Sequence, residues 1–295
     1  MKATVFTGNA VAIITPFRDG AVDLPAFERL IERQLRCGTD AIVVCGTTGE
    51  AATLSFDERM TLIERCVRSV DHRVPVIAGS GTNSTASSIA LSKVAQSAGV
   101  DALLTVTPYY NKASQSGLVR HFSAIADAAD IPVILYNVPS RTGVSCTVQT
   151  YQKLAEHPNI VGVKEASDDF DLIQDTLRLC PPDFTVWSGN DGSTTAIMAL
   201  GGKGVISVAA NVAPREMHEL TQLCLENRFS EAGALQLKLH PLIRALFCEV
   251  NPIPVKAAME LLGLCSGELR LPLCGISERH LEQLAQALEP FRPAV

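Results

Sequence analysis

The sequence predicts a (β/α)₈ barrel, over residues 1–227, followed by a small C-terminal domain of three helices over 228–295. Three observations carry that expectation. Short β-branched runs recur, each closed by a Gly, Pro, Asn, Thr or Ser cluster and followed by a stretch of helical period. The runs are apolar at nearly every position, which suits a parallel sheet buried on both faces. The length, 295 residues, exceeds what one barrel of about 250 residues needs, leaving room for an appendage.

Eight strands are expected, at 11–14, 42–45, 76–78, 102–106, 133–136, 160–163, 184–187 and 204–208. Helix starts are written between them: Asp23-Leu24-Pro25 before the first helix, Ser55 with Glu58 as a capping box before the second, and Pro214 opening the last. Gly201-Gly202 reads as a tight helix-to-strand turn rather than a phosphate loop. After about Asn227 strand signals cease, and three helices are expected over 230–247, 254–262 and 277–288. A doubly wound sheet is the competing fold. The glycine fingerprint it needs after the first strand is absent, the turn there reading Ile14-Thr15-Pro16-Phe17-Arg18-Asp19-Gly20.

Composition narrows the function. With 47% hydrophobic and 19% charged residues the chain has an ordinary globular make-up. Its 25 Lys+Arg stand against 31 Asp+Glu, a net charge of -6, and no basic run appears, so no nucleic-acid partner is expected. Nine scattered cysteines without a CxxC pair indicate buried thiols in a reducing cytosol. Six dispersed histidines form neither HxH nor HExxH, so no metal is expected. The first residues carry one lysine and a short apolar run ending at Pro16, with no cleavage pattern and nothing approaching the ~18 apolar residues of a membrane span. The expectation is a cytoplasmic protein that acts on small molecules without a membrane.

In such a barrel the active site lies at the C-terminal ends of the strands. Lys164 closes an apolar stretch there, and a low-dielectric mouth favours the neutral amine, which can attack a carbonyl to form a Schiff base. Thr47 and Thr48 sit in a Gly-permitted turn whose backbone N–H groups suit a small carboxylate. Tyr136 ends the fifth strand with a phenol available to the same site, and Tyr109-Tyr110 follow the fourth. Together these residues describe a site for a carboxylate-bearing carbonyl compound.

The ordered set GTTGE (46–50), TPYYNK (107–112), LYNVPSRTG (135–143) and GVKEAS (162–167) resembles the dihydrodipicolinate synthase family of class I, pyruvate-dependent aldolases. The resemblance extends through FTGNAVAIITPF at Phe6, GGKGVISVAANVAPREM (201–217) and NPIPVKAAMELLG (251–263), nearly the whole chain. It implies that Lys164 forms the imine with pyruvate and that Tyr136, Thr47 and Tyr110 relay protons. It implies further that Thr48 holds the pyruvate carboxylate, that Arg141 receives the carboxylate of L-aspartate 4-semialdehyde through its planar fork, and that Gly189 and Ile206 belong to the substrate site. No cofactor is implied. Tyr110 would enter the neighbouring subunit's site, making a dimer the catalytic unit and a homotetramer, a dimer of dimers, the expected assembly.

Two rival readings share part of this residue set. Sugar-acid lyases of the superfamily share the lysine and tyrosine, but Arg141 within VPSRTG argues against their longer substrates; a catalytically silent paralogue should have lost a relay member, and none is missing. Asn190 replaces an acidic residue common in the family, and Ala113 a proline. At the positions where inhibitable relatives bind L-lysine this chain keeps Asn83 and Tyr109 but has Phe56, Arg59 and Ser87. An added guanidinium and a lost carboxylate both oppose a cationic ligand, so weak or absent L-lysine inhibition is expected.

Overall fold

The computed structural model describes residues 2–291. Eight parallel strands close into a barrel: β1 (Gly8–Ala12), β2 (Ala41–Val44), β3 (Val76–Gly79), β4 (Ala102–Val106), β5 (Val133–Asn137), β6 (Ile160–Glu165), β7 (Thr185–Ser188) and β8 (Gly204–Ser207). Each pairs with its neighbour in sequence, and β8 closes on β1 with Gly8 opposite Gly204 and Val11 opposite Ser207. The first strand lies three residues earlier than its apolar signal suggested, because Asn9 and small Ala10 and Ala12 form the ladder while Ile13 and Ile14 follow it as part of the core. A two-stranded antiparallel hairpin, Phe17–Arg18 with Ala21–Val22, is built on the turn that follows β1.

The helix signals act as expected. Asp23 caps the helix Leu24–Arg36 by accepting from Ala26 N, and the Ser55–Glu58 capping box opens Phe56–Val70. The C-terminal helices are Phe229–Leu246, Ile253–Leu261 and Glu278–Leu288, each within a residue of its expected start. Among the described residues no helix is long and apolar enough to cross a membrane.

Two apolar clusters hold the barrel. The larger lies between the strands and the surrounding helices. The smaller fills the interior with Ala10, Ala12, Val43, Ile77, Leu104, Ile134, Trp187 and Ile206. Trp187 is fully buried, stacks on Phe6 at 5.1 Å between ring centroids, and donates its indole N–H to Phe6 O at 3.1 Å. Trp187→Ala is therefore expected to cost about 3–5 kcal/mol of stability, seen as a fall in the denaturant midpoint, because the interior cannot collapse around so large a void.

Candidate active site

The site is built at the C-terminal ends of β2, β5 and β6. Lys164 lies inside β6 rather than at its end, with Glu165 completing the strand. Its direction depends on an irregularity: Val133 pairs with Ile160, but Ile134 pairs with Gly162, so Val161 is an extra residue. Without that slip the alternation would aim Lys164 at the outer helices; bulges beside active sites re-aim side chains in this way. Gly162 is required there, since a Cβ would stand 2.1 Å from Thr185 O.

Tyr136 and Lys164 are consequently opposite one another on adjacent strands, and the Lys164 Nζ lies 4.3 Å from the centroid of the Tyr136 ring. Lys164 is only 5% exposed. It neither snorkels to solvent nor pairs with Glu165, which points to the other face. There the Glu165 carboxylate accepts from Tyr151 Oη at 2.6 Å, Asn137 Nδ2 at 3.0 Å and Ser167 N at 3.0 Å. Burial pushes the Glu165 carboxyl above its usual range, the three donors opposing that shift.

Tyr136, but not Lys164, also lines a cavity of about 360 Å³ whose walls include Thr47, Tyr109, Arg141 and Asn251. Thr47 and Thr48 lie in a tight turn closed by Gly49 N–H to Gly46 O and Glu50 N–H to Thr47 O, both 3.1 Å. The Thr48 hydroxyl accepts from Asn251 Nδ2 at 3.0 Å. Arg141 is carried on the short helix Pro139–Thr142, and its Nη2 donates to Asn251 O at 3.0 Å. Ile206 is buried in the interior cluster, and Gly189 N donates to Glu165 O at 2.7 Å in the turn after β7.

Tyr110 does not join them. It has a positive φ of 75°, is 90% exposed and does not line the cavity. Of the residues at the expected effector positions, Arg59 and Tyr109 line the cavity while Phe56, Asn83 and Ser87 do not. Arg59 donates to Ala51 O, and Asn83 O accepts from Asn111 Nδ2 at 2.8 Å.

Sequence reading missed Asn251, which touches both Thr48 and Arg141 from more than a hundred residues away; only its place in the NPIP motif marked it. It also missed Asp191, a buried carboxylate that accepts from Val208 N at 3.1 Å and Ala209 N at 2.9 Å and so fixes the turn after Ile206. Among the described residues no group of three or more His, Cys, Asp and Glu is arranged to hold a metal. The cysteines are unpaired, and burial pushes the Cys45 thiol up to about 12.

The fold and site define a TIM barrel with a buried amine on its sixth strand, set against a tyrosine that also lines a cleft bearing hydroxyls and a guanidinium. The model of the "Dihydrodipicolinate synthetase family" matches residues 5–290. The chain is 49% identical over 291 residues to the 4-hydroxy-tetrahydrodipicolinate synthase of Acetivibrio thermocellus, covering 99% of each. It is 50% identical over 284 residues to that of Thermodesulfovibrio yellowstonii, covering 96% of this chain and 98% of the relative. The crystal structure of dihydrodipicolinate synthase from Thermotoga maritima superposes with a TM-score of 0.96 at 45% identity, covering 97% of this chain and 99% of that one. The enzyme from Aquifex aeolicus gives 0.95 at 47%, covering 97% and 98%. The chain belongs to the dihydrodipicolinate synthetase family, and it is a lyase.

Proposed function

We propose that the chain condenses pyruvate with L-aspartate 4-semialdehyde to 4-hydroxy-tetrahydrodipicolinate, the first committed step of the diaminopimelate route to L-lysine. The observation that carries this is the Lys164 Nζ 4.3 Å from the Tyr136 ring, in a barrel whose relatives bear that synthase name. The Lys164 amine attacks the ketone carbon of pyruvate, and loss of water leaves an iminium that acidifies the methyl group. A methyl proton leaves to give an enamine, whose terminal carbon bonds to the aldehyde carbon of the semialdehyde, re-forming the iminium while the aldehyde oxygen takes up a proton to become the hydroxyl. The substrate's own amino group then adds to the iminium carbon as the bond to Lys164 breaks, closing the ring and freeing the amine.

Tyr136 is the group positioned to carry protons to and from the imine, with Thr47 and Tyr110 as further members of the relay. Thr48 binds the pyruvate carboxylate, with Gly189 and Ile206 shaping the same pocket, and Arg141 takes the second carboxylate. The exposure of Tyr110 supports a homo-oligomer, a dimer paired into a tetramer, in which it serves a neighbour's site. We take the division at residue 227 as a domain boundary and the protein as cytoplasmic on the sequence alone. The test is a coupled assay with purified protein, pyruvate and L-aspartate 4-semialdehyde: formation of the cyclic product supports the reading, and its absence with active substrate refutes it.

The same reading extends to regulation. Arg59, at one of the positions matching the effector site of inhibitable relatives, carries a guanidinium that would repel a cationic ligand, which supports weak or absent inhibition by L-lysine. Rates at saturating substrates should hold as L-lysine rises to millimolar levels; strong inhibition below 1 mM would overturn this.

A further inference from the structure

Beneath the Thr47–Thr48 turn lies an ion pair that the chemistry does not use. Lys256, on the helix Ile253–Leu261, donates its Nζ to Glu50 Oε1 at 2.7 Å, and both side chains are 0% exposed. The same Nζ lies 4.1 Å from the centroid of Phe17. The other Glu50 oxygen accepts from Arg270 N at 3.2 Å, so both oxygens are satisfied from the C-terminal part of the chain. Glu50 is also the residue that closes the turn, with a left-handed φ of 53° and its N–H on Thr47 O.

Burial of two charges is a poor route to stability, because an apolar pair of similar volume is often equally stable or better. What a short, fully desolvated pair does supply is a fixed geometry. Here it links the turn bearing Thr47 and Thr48 to a helix more than two hundred residues later. Five residues before Lys256, Asn251 grips the Thr48 hydroxyl itself. A segment of six residues thus holds the turn at its end and at its middle.

We propose that Glu50 and Lys256 are positioning residues for the pyruvate-carboxylate turn, through which the C-terminal segment sets Thr47 and Thr48. The pair touches no reacting atom. This inference rests on the function proposed above, and its test separates the two. In the double variant Glu50→Gln/Lys256→Met, the charges are removed together and no lone ion remains. Its unfolding midpoint is expected to stay at or above that of the parent while KM for pyruvate rises about ten-fold or more, with KM for the semialdehyde nearly unchanged; misplacement of a binding group by about 1 Å suffices for such losses. A folded double variant with parental KM for pyruvate would overturn the proposal. Should it fail to fold, Glu50→Asp, which keeps the charge and shortens the reach, carries the test: a raised KM in a folded protein supports positioning. A parental KM, or failure of this variant to fold as well, reduces the pair to a structural role. If the parent itself forms no adduct with pyruvate, the reading of the site fails instead.

Discussion

Lys164→Ala is expected to lower kcat/KM by at least about 10⁴-fold, because it removes the covalent nucleophile and leaves only binding and orientation to act on the substrates. Lys256 is the other buried lysine among the described residues, and its Nζ is committed to Glu50. The variant should still fold, since Lys164 makes no salt bridge among the described residues and its ammonium packs on the Tyr136 ring, the cost being a nearby positive charge lost to the buried Asp191 carboxylate. Steady-state rates, read beside an unfolding curve, check both halves. A variant within ten-fold of the parent would exclude Lys164 as the nucleophile.

Tyr136→Phe separates the phenol from the ring. The ring that packs against Lys164 is retained, so imine formation should survive in reduced measure, while the proton-relay function is lost. A fall in kcat of about 10² to 10⁴-fold is expected, the range for removal of a positioned acid–base group. The change in unfolding free energy should stay small beside that for Trp187→Ala. An unaltered kcat would move the proton transfers to another group, with Thr47, also on the cavity wall, the next candidate.

Much of this arrangement was legible in the residues. Strands buried on both faces announce themselves by continuous apolar runs, and helix caps such as Ser55 with Glu58 are local in sequence, so both were read near their true places. The first strand was displaced because its ladder uses Asn9 and two alanines, residues with little strand signal, while Ile13 and Ile14 carry the signal just beyond it. Lys164 was recognised by type and position. Its inward direction, however, follows from the extra residue at Val161, and register slips depend on strand pairing that no local pattern reports. Asn251, Lys256 and Arg270 were passed over for a related reason. Each reads as an ordinary helix or loop residue, and its meaning arises only where the chain returns to the Gly46–Glu50 turn. Tyr110 shows the converse case, a residue placed at a strand end by sequence whose side chain is exposed and does not line its own chain's cavity.

The central claim is that Lys164 forms an imine with pyruvate. Reduction with borohydride in the presence of pyruvate, followed by peptide mass mapping, tests it directly. The account predicts a single stable adduct on the peptide containing Lys164, dependent on pyruvate and absent from Lys164→Ala. No adduct, or one on another lysine that persists in the variant, would contradict it.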